Sequence, residues 1–345
     1  MNAAEQSRER APLDEPVARK LTTEDLVEAF HLAHAVWTLH GAGIFASLDQ
    51  PRTADDAAAL HKLDAKMLRG VLAYVAERTD LLEHSDGTFA ATASYSRGSR
   101  FLLDLYAGAY GPAALRLGRI LAEPSFGAAC VDREMHARTF CQKGPVPPSW
   151  LGSVIEQLEW NQVLDVGCGT AALLVELAGR NAEFSGWGLD ANRAMCRAAR
   201  ARVRDAAAGG RVTIVEGDAR ELERLSPRIL ESIRTVTARH VANEMFGADG
   251  SGAVEWLTGM RRALPGRPLL IEDYYGVLGT ENAQRHLPTM LHDYVQHISG
   301  QGVPPSTLAE WEQVYDAAGC RLIHVSEEQS STRFIHIVVL TEMRD

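Results

Sequence analysis

Val163-Leu164-Asp165-Val166-Gly167-Cys168-Gly169-Thr170-Ala171 decides how this chain is read. Three apolar residues around one acid form a short buried strand. Two glycines then turn the chain, and Ala171–Ala178 has the alanine and leucine content of a helix. Strand, glycine turn and helix start leave backbone N–H groups facing a ligand with no Cβ in the way. A dinucleotide site has the same shape, so the turn alone does not choose the ligand.

Working outward, Phe184–Leu189 reads as a second strand and ends in Asp190. That acid lies about 20 residues past Gly167, where a carboxylate in a doubly wound fold accepts from both ribose hydroxyls. An amphipathic helix, Arg193–Ala206, leads to a third strand, Val212–Val215, which closes on Gly217-Asp218-Ala219. A carboxylate at that place can accept from an exocyclic adenine amine. Three successive strand ends carrying an acid or glycine predict an α/β doubly wound sheet with its ligand crevice at the C-terminal edge.

The series Asp165-x-Gly167-x-Gly169, Asp190 and Gly217-Asp218 resembles the cofactor site of class I S-adenosylmethionine-dependent methyltransferases. The resemblance implies S-adenosyl-L-methionine as cofactor, held around Asp165, Gly167, Gly169, Asp190, Asp218 and Ala219. It also implies a Rossmann-like methyltransferase sheet. The third glycine of that family's loop is Ala171 in this chain.

The chain as a whole sets bounds on the reading. Its 345 residues allow two domains, and a net charge of −10 argues against binding a phosphate backbone. Cys130, Cys141, Cys168, Cys196 and Cys320 form no C-x-x-C pair, and their odd number points to reduced thiols and a cytoplasmic setting. No apolar run reaches membrane-spanning length. The polar start predicts a disordered tail over 1–20.

Thr22 or Thr23 can cap a helix from Glu24 to about Gly41, apolar on more than one face. Helices then follow up to His61 and over Ala65–Arg78. Asp80–His84 and Thr88–Thr92 flank the turn Ser85-Asp86-Gly87 as a hairpin. Two short helices and a β-ribbon make a winged-helix pattern, expected over 21–100 as a dimerisation domain. Its second helix offers only Lys66, Arg69 and Arg78, set against Asp64 and Glu77, which favours a homodimer over nucleic acid. A helical linker is expected over 101–150, with Gly98–Leu121 largely helical and a short helix Met135–Phe140 over the cofactor mouth. The catalytic domain then occupies 151–345. This order resembles the small-molecule methyltransferases of the plant O-methyltransferase type.

The methyl acceptor should sit beyond the fourth strand, Ser232–His240, and the fifth, Pro268–Asp273, under a helical insertion, Asn282–Ile298. In the O-methyltransferases a His-Asp pair follows strand four. Here those places hold Asn243-Glu244, and an amide is no general base. The C-terminal part resembles the α-keto acid C-methyltransferases, which implies a strand-five aspartate, Asp273, and metal-binding histidines. One of these falls near His297, ahead of Gly302–Trp311; the other aligns with Asn243, with His240 three residues upstream. His240, Asn243, Glu244, Asp273 and His297 are therefore the catalytic candidates. His240 and His297 are the candidates for a divalent or ferric metal. His292 reads as a solvent-facing residue.

Removing a proton from a carbon beside a ketone needs a base and an electrophile on the enolate oxygen, which such histidines can supply. Glu244, Glu272, Asp273 and Asp293 would suit a cationic tail, making 2-ketoarginine the most specific substrate expectation. The alternatives are O- or S-methylation of a small metabolite, or a winged-helix regulator that binds DNA.

Overall fold

The computed structural model describes residues 20–141, 148–247 and 250–342. The tail expected over 1–20 lies outside the described residues except for Lys20, as do Gly144, Pro145 and Pro147 of the linker.

Thr22 caps the first helix, Thr23–Gly41, in a reciprocal box with Asp25. Only its C-terminal half is buried, at Val36 and Leu39; Leu26, Val27 and Phe30 stay exposed. Helices Ala54–His61 and Ala65–Arg78 follow, capped by Thr53 and Asp64. Beside them β1 (Arg52–Thr53), β2 (Leu82–Ser85) and β3 (Thr88–Ala91) form a small sheet in the order β1-β3-β2. Asp86 and Gly87 both take positive φ, which suits the two-residue turn of this hairpin. Ile44, Phe45, Leu48, Leu72, Val75 and Phe89 close its core.

Gly98–Leu121 is not one helix. Arg97–Leu102 passes into a π-helical stretch, Leu103–Ala109, and Gly111-Pro112 ends it before two further short helices. Proline cannot continue the ladder, and the wide turn redirects Tyr106 and Tyr110 toward the catalytic half.

The main sheet has seven strands: β4 (Gln162–Val166), β5 (Ser185–Asp190), β6 (Val212–Glu216), β7 (Thr235–Arg239), β8 (Pro268–Tyr274), β9 (Cys320–Glu327) and β10 (Arg333–Leu340). Their order is β6-β5-β4-β7-β8-β10-β9; β4 to β8 run parallel, and β10 pairs antiparallel with both neighbours. Leu164 and Val166 enter the core on one face, with Trp256, Trp311 and Phe334. Val163 enters the other, with Leu151, Leu174 and Ile335. Burial on both faces explains the unbroken apolar runs in these strands. The architecture is the α/β doubly wound, Rossmann-like sheet, joined to an N-terminal helical region. The insertion helix starts at Leu287 rather than Asn282, because Pro288 sits in its first turn. Among the described residues, no helix is long and apolar enough to cross a membrane.

Candidate active site

β4 delivers the chain into three left-handed positions, Gly167, Gly169 and Ala171, with φ of 63°, 53° and 57°. A Cβ on Gly167 would lie 2.3 Å from Val241 Cγ2, so glycine lets the turns after β4 and β7 close on each other. Gly169 N–H donates to Asp190 Oδ2 at 2.9 Å, and Asn192 N–H donates to Oδ1 at 2.8 Å. These bonds fix the carboxylate at the end of β5 and leave it lone pairs able to accept further hydrogen bonds. Burial raises its pKa, and the two N–H groups oppose the rise. After β6, Asp218 accepts from Arg220 N–H at 2.8 Å, beside buried Ala219.

Asp165 lies deeper than a ligand contact. It is 4% exposed, accepts from Thr237 Oγ1 at 2.7 Å and ties β4 to β7 beneath the loop. Burial pushes its pKa up to about 7. The helix Arg133–Phe140 reaches this mouth: Asn192 Nδ2 donates to Arg133 O at 3.1 Å, and Glu134 pairs with Arg197.

On the acceptor side β7 ends at Arg239, and His240 follows with φ 52°, a strained position for histidine. Its N–H donates to Glu272 O at 2.8 Å. Its side chain is exposed, although protein packs closely enough around it to shift its titration, at the space between β7 and the insertion that we read as the acceptor cleft. Burial pulls its pKa down to about 3, helped by the charges of Arg239 and Arg333 and by His292. Burial lowers His292 to about 4; its Nδ1 is 3.2 Å from Tyr106 Oη, and the rings of Tyr106 and Tyr274 meet it edge-on. His136, on the helix over the mouth, is also pulled down to about 4 by burial, then by Arg133 and His292. His136 and His240 thus both lie within electrostatic reach of His292, and all three are shifted toward the neutral form.

Several expectations are corrected here. His297 is exposed, while His292, read as solvent-facing, is half-buried against Tyr106 and Tyr274. The insertion helix turns polar residues inward: Asp293 and Gln296 are fully buried, whereas Leu287, Leu291 and Tyr294 are exposed. Gln296 lies one turn after His292 and accepts from Tyr274 Oη at 2.9 Å; His297 is rotated a further ~100° out of that face.

Asp273 does not face the cleft. It is 0% exposed, accepts from the N–H groups of Asn243 and Tyr274 at 3.0 Å each, and burial pushes its pKa to about 8. Asn243 is buried with it. Asp293 accepts from Val277 and Leu278 N–H, and Glu272 is clamped by Arg239 and Arg333. Of the four acids expected to hold a cationic tail, only half-buried Glu244 remains, and it feels the charge of Arg133. The basis for a guanidinium-bearing acceptor is gone.

Tyr106, Tyr110 and His136 were missed because linker residues carry no local motif; only the four-residue spacing of the tyrosines hinted at a shared face. Among the described residues, no group of three or more His, Cys, Asp or Glu side chains is arranged to hold a metal. His240 and His292 fit one only as a pair of neutral nitrogen ligands.

Residues 163–262 match the family described as a methyltransferase domain. Taken with the left-handed glycine turn and the carboxylate ending β5, this marks the protein as an S-adenosylmethionine-dependent methyltransferase enzyme, with S-adenosylmethionine as its cofactor. Solved structures of similar fold include the mitomycin 7-O-methyltransferase MmcR, with TM-score 0.70, 16% identity, and 92% of this chain and 96% of that chain covered. Another is NcsB1, an O-methyltransferase from neocarzinostatin biosynthesis, in complex with S-adenosyl-L-homocysteine and 1,4-dihydroxy-2-naphthoic acid; here TM-score is 0.67, identity 18%, and coverage 94% and 100%. CalO1, a calicheamicin-biosynthesis methyltransferase in its SAH-bound form, gives 0.59, 23%, 92% and 96%. At these identities the likeness is one of fold.

Proposed function

We propose that the enzyme methylates C3 of a small α-keto acid with an aromatic or apolar side chain. The supporting observation is that His240, from the turn after β7, lies within electrostatic reach of His292, from the insertion, which itself contacts Tyr106 and Tyr274. Both imidazoles are uncharged near neutral pH, so each keeps a lone pair. His240 lies where a base for the C3 proton is needed, and negative charge developing on the enolate oxygen would offset the fields of Arg239 and Arg333 that lower its basicity. In the tautomer whose Nδ1–H donates to Tyr106 Oη, His292 has its lone pair on Nε2. A metal held by these two histidines would supply Lewis acidity at the ketone in place of the base, since the His240 lone pair would then be on the metal. Bound S-adenosylmethionine would supply the electrophilic methyl, its S–CH3 bond breaking as the new C–CH3 bond forms and S-adenosylhomocysteine leaves, a transfer that needs alignment more than further acid or base. Tyr106 and His136 favour a flat apolar group over a cationic one.

O-methylation of a small metabolite is the second reading. It is favoured by the naming of MmcR and NcsB1 as O-methyltransferases, and the same neutral imidazole would take a hydroxyl proton. The test is incubation of phenylpyruvate and other α-keto acids with enzyme and S-adenosylmethionine in deuterium oxide, with and without chelator. Deuterium uptake at C3 together with a carbon-bound methyl is expected. Methylation on oxygen without C3 exchange would establish the second reading.

The N-terminal region we read as a winged-helix dimerisation unit. Exposed Leu26, Val27 and Phe30 suit a two-fold contact, and two of its basic residues, Arg69 and Arg78, are paired with Asp55 and Glu28. Sedimentation of the full chain as a monomer at micromolar concentration would overturn this reading.

A further inference from the structure

Side chains alternate across a sheet, so Thr237 and Arg239 on β7, Glu272 and Tyr274 on β8, and Arg333 on β10 share one face. Tyr274 on that face packs against His292, so the arginines stand on the same sheet face as the side chain that meets the candidate acceptor histidine, and their charges reach His240. Glu272 is fully buried between them, with Arg239 Nε 3.1 Å from one oxygen and Arg333 Nη2 on the other. Arg333 also approaches half-exposed Glu328 at 3.6 Å, a weak surface pair. Inside, two cations face one anion. The Nε atoms of both arginines are buried without a hydrogen-bond partner; that of Arg239 is close to Glu272 but off the line of a bond. Among the described residues, Glu272 is the one ion partner of Arg239, whose side chain remains about a third exposed. A guanidinium with unused donors, held in place by a buried acid and beside the candidate base, is suited to an anionic group on a ligand.

We infer that Arg239, backed by Arg333, holds a carboxylate of the methyl acceptor. Glu272 fixes the guanidinium so that its free edge faces the cleft next to His240. The inference rests on the acceptor occupying that cleft, as proposed above, and not on which atom is methylated: an α-keto acid and an aromatic hydroxy acid both carry the group.

The test uses the full chain saturated with S-adenosyl-L-homocysteine and two probe pairs, each an acid and its methyl ester: phenylpyruvate and 1,4-dihydroxy-2-naphthoate. Calorimetry on the wild type should show at least one acid bound ~10- to 100-fold more tightly than its ester, the range for a charge-assisted pair. Arg239→Gln should erase that preference while leaving ester and S-adenosyl-L-homocysteine affinities unchanged, and Arg239→Lys should restore part of it. Because Arg239→Gln leaves Glu272 underpaired, the double variant Arg239→Gln/Glu272→Gln provides a charge-balanced check and should lose the preference equally. A wild type that prefers neither acid, or a preference that survives in both Gln variants, overturns the inference. If only the naphthoate pair responds, the arginine assignment stands and the α-keto acid reading falls.

Discussion

The cofactor end and the acceptor end of this sheet meet at Gly167 and Val241, yet they are made differently. The cofactor end, β4 to β6, uses backbone N–H groups and short acids that lie within one continuous stretch of chain, 163–219. The end we propose for the acceptor brings together large side chains from three distant segments: Tyr106 and His136 from the linker, His240 after β7, and His292 from the insertion. A cofactor with a fixed shape can be held by a local turn whose geometry is written in glycines. An acceptor that differs among enzymes of one fold is met by side chains, and those can be exchanged without disturbing the strands.

The sharpest break in that comparison would come from two histidines on one helix. His292→Ala should cut turnover by ~10²- to 10⁴-fold, the range for a lost acid–base or charge-stabilising group, with S-adenosylmethionine affinity unchanged. His297→Ala, on the exposed face, should leave turnover at the wild-type level. Single-turnover kinetics on an accepted substrate decides it: equal losses in both variants would mean the helix face is misassigned. A step smaller, and at the other end, Asp190→Ala should weaken S-adenosyl-L-homocysteine by ~1–3 kcal/mol in calorimetry, because it strands the N–H groups of Gly169 and Asn192 as well as the ribose hydroxyls. Asp190→Asn should fall between. An unchanged Kd would detach this carboxylate from the cofactor.

The same contrast explains what could be read from residues alone. Asp190 was legible because strand, turn and acid follow each other at a spacing imposed by one βαβ unit. His292 was not, because an amphipathic helix is ordinarily oriented by burying its apolar stripe. Here Leu287, Leu291 and Tyr294 lie outside and Asp293 and Gln296 inside, stabilised by Val277, Leu278 and Tyr274, all remote in sequence from the helix face they satisfy. Asp273 and Glu272 illustrate the same limit. A strand-end acid looks alike whether it faces a substrate or closes a neighbouring turn, and only the partners Asn243, Arg239 and Arg333 show that these two are already engaged.

Ala171 provides the finest probe of the cofactor end, since it stands where the related loops carry glycine. Its φ of 57° is unfavourable for any residue with a Cβ, by ~1–2 kcal/mol. Two terms oppose its replacement by glycine. The methyl is fully buried against the helix side of the sheet, worth ~0.8 kcal/mol, and glycine adds ~0.5–1 kcal/mol of unfolded-state entropy. The sum is close to zero, which is why alanine is tolerated here. Ala171→Gly should therefore shift stability by less than ~1 kcal/mol in urea unfolding and leave cofactor affinity unchanged. Ala171→Val keeps the positive φ and adds a branched side chain where packing is already complete, so it should cost more than ~2 kcal/mol and weaken the cofactor with it. If glycine instead destabilised the chain as much as valine does, the methyl's packing rather than the turn's backbone would be holding the loop, and the cofactor end would be less purely a backbone device than its glycines imply.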